Sequence, residues 1–444
     1  MSSLLTDHIF AADPSAHVFD GRVYVYVSYD EPYTNSYDTM SCYHALSSDN
    51  LVDWVDHGRI LHLDQVDWAI SHMWAIDANY WLGKYYLVFC AIDRETSTFK
   101  TGIAVSERPE GPFTNLGKID GVEWGQDPSL FIDDQTPYLV WGARGSILIG
   151  ELNQDLMSIK SETIRDLSEQ VGGYEGPFLH KYEGKYYLTY PALDNEVWPQ
   201  RMCHAVAPTP LGPYTDLGVF IDAYPGNSGT IHGSVVEFKG KWYSFYHSAW
   251  VSGSQSCRSL MLDEIHYDSA GRILPLVPSE SRAGRDVPSA GKIEVHLDAA
   301  VADRNGGRLF EAAVVFDQRH ESGATGAGYL AGMTKQEFGF STLLQVGVPR
   351  EYELWLRYRS DEEHVARVIA GRHLFYDGNQ NQSYDQYINR GTVFPSSGGE
   401  WTEILIGSKH FEFGDHLIRF SNSHNLAAGS RGIEVDRVSL ISRN

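Results

Sequence analysis

One hairpin recurs five times in the first 250 or so residues, and no other feature limits the fold as much. The copies are "ADPSAHVFDGRVYVYVSYD" from Ala12, "AIDANYWLGKYYLVFCAID" from Ala75, "QDPSLFIDDQTPYLVWGA" from Gln126, "YEGPFLHKYEGKYYLTYPA" from Tyr174 and "IHGSVVEFKGKWYSFYHSA" from Ile231. Each opens on a polar residue, continues through a short strand and a turn, and ends in a second strand rich in aromatics. The polar residues are Asp13, Asp77, Asp127, Glu175 and His232, separated by 64, 50, 48 and 57 residues. Such a period, with several strands per unit, signals radial repetition: a β-propeller with four strands per blade. The outer strands echo as well. "ERPEGPFTNLGKI" (107–119) and "PTPLGPYTDLGVFI" (208–221) are near copies, and "SSDNLVDWVDHGRIL" (47–61) is a looser one.

In a propeller the first strand of every blade lines a central channel, and all of them start at the same end. Four carboxylates and an imidazole are therefore expected to meet in one funnel. Like charges brought together this way repel, so a chain built only for stability would avoid the arrangement. A lone Asp-Pro, as at 13–14 or 127–128, is an ordinary turn opener. Recurrence at matching places argues for a site.

Composition narrows the partners. The net charge of −23, with no Lys/Arg-rich run, disfavours nucleic acid and anionic membrane surfaces. Aromatics make up 13% of the chain and serve either to fill the cores between sheets or to stack on sugar rings. Cys42, Cys90, Cys203 and Cys257 are scattered without a CxxC pair, as buried free thiols would be, and support neither zinc nor a disulfide framework. No apolar run is long enough to suggest a membrane span. The N-terminus lacks the basic start and apolar core of a signal peptide, so the expected location is cytoplasmic, or secreted or periplasmic if a signal has been removed.

Past "LVPSESRAGRDVPSAG" (276–291), a Ser/Pro/Gly-rich linker, the pattern changes. "YELWLRYRS", "GGEWTEILIG", "GDHLIRFSNS" and "GIEVDRVSLIS" are strands at sandwich-like spacing. The expected organisation is all-β: a five-bladed propeller over 1–285, then a β-sandwich (jelly-roll) domain over 292–444.

Taken together, "ADPSAHVFDGRVYVY", "MWAIDANYWLGKYYLVF", "GQDPSLFID", "YEGPFLHKYEGKYYLTY" and "GTIHGSVVEFKGKWYSFYH" resemble the five ordered blade motifs of glycoside hydrolase family 43. The resemblance implies that Asp13 is the general base, Glu175 the general acid, and Asp127 the carboxylate that orients and tunes the acid. Inverting hydrolysis needs one carboxylate ionised to activate water and another protonated to serve the leaving oxygen. A neighbouring carboxylate raises the pKa of the acid. By the same resemblance Trp74 contacts substrate, Asp77 either contacts substrate or only anchors its loop through backbone hydrogen bonds, and His72 and Trp124 stand at the border of the pocket. Arg258 either neutralises the carboxylates or forms a rim salt bridge. His232 either contacts water around a central calcium or is an ordinary buried histidine. The chemistry itself requires no cofactor.

The C-terminal segments "SGATGAGYLAGM" and "GIEVDRVSLI" resemble a family 6 carbohydrate-binding module. That likeness implies Glu294 and Asp436 as ligands of a structural calcium, and Tyr329 or Trp401 as a sugar-stacking ring. The alternative is a sandwich that only braces the propeller.

The resulting expectation is an inverting, exo-acting or debranching glycosidase of plant-type polysaccharide or oligosaccharide. α-L-Arabinofuranose comes first as the released sugar, ahead of β-D-xylose and of β-galactan or another exo-glycosidase specificity of the family. Asp13 argues against the galactanase branch, which lacks this base. Retaining β-fructosidases share the propeller–sandwich plan, but their Asn-Asp-Pro-Asn, Arg-Asp-Pro and Glu-Cys motifs are replaced here by "AADPS", "GQDPS" and "YEGP". A non-catalytic glycan-binding propeller would have lost its acid or its base, and this chain has both.

Overall fold

A computed structural model describes residues 9–32, 36–143, 145–194, 197–224, 226–249, 252–278, 292–297, 308–310, 312–316, 321–325, 328–346, 348–376, 382–412 and 414–443. Most of the linker at 276–291 and the end of the segment 1–285 lie outside these residues. Among the described residues there is no α-helix; strands are joined by loops and three short 3-10 turns. Two compact units are present. One comprises Met1–Asp30, Tyr37–Ser248 and Arg258–Arg285, the other Glu31–Ser36, Ala249–Cys257 and Asp286–Asn444.

The first unit contains five antiparallel sheets in chain order, each built by strands that follow one another. Their first long strands are Ala11–Phe19, Ile76–Trp81, Gln126–Asp133, Phe178–Tyr182 and Gly233–Phe238. These neighbour one another in that order, and the last returns to the first, so the sheets close a ring as blades of a β-propeller.

Alternation along the second strands shows why the ring holds. In Arg22–Tyr29, Val23, Val25 and Val27 enter the core shared with the fifth sheet, whereas Tyr24 and Tyr26 enter the one shared with the second. Leu87 and Phe89 join that second core, while Val88 faces the third sheet beside Leu139 and Trp141. Every blade thus has two apolar faces, and period-2 side chains feed a different core on each. A large side chain buried this way stabilises the fold by roughly 1.5–3 kcal/mol.

The second unit is built on two further antiparallel sheets. From Tyr352 onward the strand Arg350–Arg359 alternates between buried and partly buried positions. Its Leu354 and Leu356 share one core with Phe340, Val368, Ile418 and Phe420 of the other sheet.

Candidate active site

Position in the repeat decides which polar residues meet. Eight residues before the hairpin-turn residues Gly21, Gly83, Gln135, Gly184 and Gly240 stand Asp13, Ala75, Asp127, Gly176 and His232. Asp77 is not among them. It lies six before its turn, at the level of Ser15, Ser129, Phe178 and Ser234, and the strand register pairs all five at one height. The expectation that Asp77 contacts substrate is corrected accordingly. Its buried carboxylate accepts from Ser129 Oγ at 2.9 Å, Leu130 N–H at 2.7 Å, Ala78 N–H at 2.7 Å and the hydroxyl of Ser15, and lies 2.6 Å from His17 Nε2. Asp77 ties three blades together below the funnel.

Asp13 and Asp127 share a local device. Each sits in a β-bulge at the head of its strand, and each has a left-handed backbone, with φ of +50° and +47°. Asp tolerates that region better than most residues, and a bulge re-aims the side chain off the strand axis. In the fourth blade Gly176 takes the left-handed place (φ +58°), so Glu175 stands one residue nearer the mouth. Glycine is required there, because a Cβ on Gly176 would lie 2.8 Å from the Pro191 ring. Gly142 has a matching role: a Cβ on it would stand 2.6 Å from Tyr174 O and 3.0 Å from Glu175 Cα.

Asp13, Asp127, Glu175, His232 and Arg258 line one cavity. Arg258 Nη1 donates to Asp13 Oδ1 at 3.1 Å, while Nε and Nη2 fork onto Asp30 at 2.9 and 2.8 Å. Of the two sequence readings for Arg258, the rim salt bridge is excluded: the residue is 3% exposed and stacks 4.8 Å from the Tyr37 ring. Burial pushes the Asp13 pKa up, but Arg258 leads a set of groups that outweigh it and hold Asp13 below the ordinary carboxylate value. His247 Nδ1 accepts the Asp13 backbone N–H at 2.9 Å, and its Nε2 lies 2.6 Å from Thr230 O. That pattern assigns a neutral ring with its proton on Nε2, in line with burial pushing its pKa well down. The 3.5 Å approach of the same Nδ1 to Asp13 Oδ1 is therefore no ion pair. His232 Nδ1 stands 3.8 Å from Asp13 Oδ1, and burial lowers its pKa too.

The other two carboxylates are pushed the opposite way. Burial raises the pKa of Asp127 well above the ordinary value, and Glu175 and then Asp13 raise it further. Burial also raises Glu175, against hydrogen bonds from Gln200 and Gln126 that favour the charged form. Repulsion between Asp127 and Glu175 is reciprocal, so the pair retains a proton to higher pH than either would alone. Gln126 Nε2 donates to Glu175 Oε2 at 2.8 Å, and Gln200 donates to Oε1. The Gly176 N–H and the Cys90 thiol donate to Asp127 at 3.2 and 3.7 Å. One ionised carboxylate thus faces a proton-holding pair in a single cavity.

Trp74, Tyr37, Met40, Pro191 and Ile231 form the apolar walls. Trp74 is anchored by its Nε1–H to Tyr37 O at 2.9 Å. His72 and Trp124 stand behind the wall and not at the pocket border: His72 packs 5.2 Å from Trp74, Trp124 packs 5.9 Å from Phe99, and Phe99 itself packs 4.7 Å from Trp74. They are positioned to stiffen Trp74.

Sequence reasoning missed a second ring of residues, although a signal was present. Seven residues after each turn residue come Ser28, Cys90, Gly142, Pro191 and His247, where an apolar run ends on a small or polar residue. These five support, admit or polarise the residues above. Asp30 and Gln200 carried no such signal.

Among the described residues no three His, Cys, Asp or Glu side chains are placed to hold a metal ion. His232 faces a carboxylate already engaged by Arg258, so a central calcium would be held there through water, as expected for His232, and would supply charge and not a proton; no step below runs through a metal. The C-terminal calcium expectation named side chains as direct ligands, and it fails. Glu294 Oε1 is 2.6 Å from Lys292 Nζ and 3.3 Å from Arg437 Nε, whereas Asp436 is bound by Arg357 and by Thr325. Cations already neutralise both carboxylates. Nor do Tyr329 and Trp401 present an open platform: Tyr329 is buried, the rings pack at 5.4 Å, and the Arg359 guanidinium lies 4.9 and 4.6 Å from them.

Known proteins share this architecture. The chain is 32% identical over 336 residues to xylosidase/arabinosidase 43A of Humicola insolens, aligning 63% of itself with 100% of that relative. It is 30% identical, with a TM-score of 0.57, to a family 43 enzyme from Xanthomonas citri complexed with xylose, over 64% of this chain and 96% of that one. An arabinoxylan arabinofuranohydrolase from Bacillus subtilis, in complex with cellotetraose, matches 99% of this chain and 97% of its own at 21% identity and a TM-score of 0.54, a likeness of fold alone. The family model for glycosyl hydrolases family 43 matches residues 8–273, and the chain therefore belongs to that family of inverting glycoside hydrolases.

Proposed function

We propose that the chain is an exo-acting hydrolase that releases terminal α-L-arabinofuranosyl and β-D-xylosyl units from arabinoxylan-type oligosaccharides. Asp13 takes a proton from water as its oxygen attacks C1. Glu175 gives its proton to the departing glycosidic oxygen, and Asp127 sustains that proton on Glu175 beforehand. The products are the free sugar with inverted C1 and the shortened alcohol. One observation carries this reading: three carboxylates of opposite electrostatic bias line one cavity, Asp13 held low by Arg258, Asp127 and Glu175 held high.

Arabinofuranose led the sequence reading; xylose is added because relatives similar to this chain are named for both sugars or hold xylose. Both are pentosyl groups that can offer the same scissile-bond direction to a fixed acid and base. In the same reading the second unit is a β-sandwich that takes no sugar through Tyr329 or Trp401.

Proton NMR of hydrolysis tests the function. The β-xyloside should yield α-xylose first, and the α-arabinofuranoside should yield β-arabinofuranose first. Initial appearance of the retained anomer, or turnover of neither glycoside, overturns the reading.

A further inference from the structure

Outside the cavity itself, an exposed aromatic side chain stands on a strand that reaches the site. Trp198 is 48% exposed, and its neighbour Val197 is 58% exposed. They open the strand Val197–Ala207, which pairs with Lys185–Asp194 through Asp194 and Val197. Both arms of this hairpin are rooted in the site. Pro191 on one arm lines the cavity, and Gln200 on the other donates to Glu175. Trp198 is two residues beyond Gln200, on the order of 7 Å along the chain. So exposed, the indole forgoes part of the stabilisation that burial would give it and leaves its flat face open to a ligand.

Resting on the assignment of Glu175 as the acid, we propose that Trp198 is a platform for the sugar ring on the leaving-group side of the scissile bond. The acid necessarily stands beside the leaving oxygen, so the departing saccharide extends past Glu175, and the hairpin rooted beside Glu175 carries the indole there. Asp13, Arg258 and His232, on the first and fifth blades, attend the released sugar and the attacking water. A pyranose presents C–H groups on its face, and a flat indole covers them while its N–H stays hydrated. The occupant is a neutral pentose or hexose unit of an oligosaccharide chain.

The test compares xylotriose with β-D-xylosyl fluoride, whose leaving group reaches no platform and needs no proton. Trp198→Ala should lower kcat/KM for xylotriose by about tenfold or more, mainly through KM, and leave the fluoride within about twofold. Trp198→Phe should recover most of the loss. Unchanged xylotriose kinetics in Trp198→Ala, or an equal fall on both substrates, overturns the proposal. Failure of the unaltered enzyme on both substrates would instead remove the functional reading beneath it.

Discussion

Arg258 Nη1 stands 3.1 Å from Asp13 Oδ1 at the floor of the cavity, and the same guanidinium is forked onto Asp30. A fixed positive charge thus sets the protonation of one carboxylate and leaves the Asp127–Glu175 pair to follow burial.

The pH profile follows in sign. Activity is lost as pH falls through the lowered pKa of the base, and again as pH rises through the raised pKa of the acid. The kcat/KM profile should be bell-shaped, with its acid limb below 3.8 and its basic limb above 4.5, the ordinary values for Asp and Glu. Arg258→Lys retains charge and loses the fork, so the acid limb should move up and kcat/KM fall about 100-fold. An acid limb that stays in place would show that another group sets Asp13.

Glu175→Gln should cost about 10²–10⁴ in kcat on oligosaccharides, and the basic limb should disappear. Glycosyl fluorides, which leave without a proton, should be nearly spared. Equal loss on both substrate types would remove Glu175 from the acid role.

Asp127→Asn should stabilise the protein at neutral pH while lowering activity. A carboxyl whose folded pKa is raised contributes stability at low pH that is lost as pH rises through that pKa, so ionised Asp127 burdens the fold at pH 7. Relief of about 0.5–2 kcal/mol is the usual scale for a strained functional residue. Thermal melts at pH 7 and near pH 3 should show the gain only at the higher pH; a gain at both would point to packing.

Asp77→Ala should destabilise the propeller by about 3–5 kcal/mol, since it orphans donors from three blades. At a temperature where the variant is folded, kcat should stay within a few-fold of normal. A selective rise in KM without loss of stability would return Asp77 to the substrate pocket.

Much of this was legible in the chain because it is periodic. Alternating side chains and a hairpin repeated five times specify how strands pair, since a one-residue slip would turn each apolar face outward. The bulged Asp-Pro heads and the Glu-Gly-Pro head were visible for the same reason. The height of each polar residue was not, because it depends on distance back from the turn: Asp77, two residues nearer its turn, dropped one level and became a structural tie.

By itself, then, the sequence determined the all-β repeat, the five inter-blade faces and the identity of the three acidic residues. Tertiary structure alone decided that Asp30 shares Arg258 with Asp13, that Gln200 clasps Glu175, and that cations cover Glu294, Asp436, Tyr329 and Trp401. Backbone pairing is local and repeats, so it leaves a pattern in the chain. Charge pairing and burial join residues as far apart as Asp13 and Arg258, and their sign depends on a distance that no spacing in the sequence encodes.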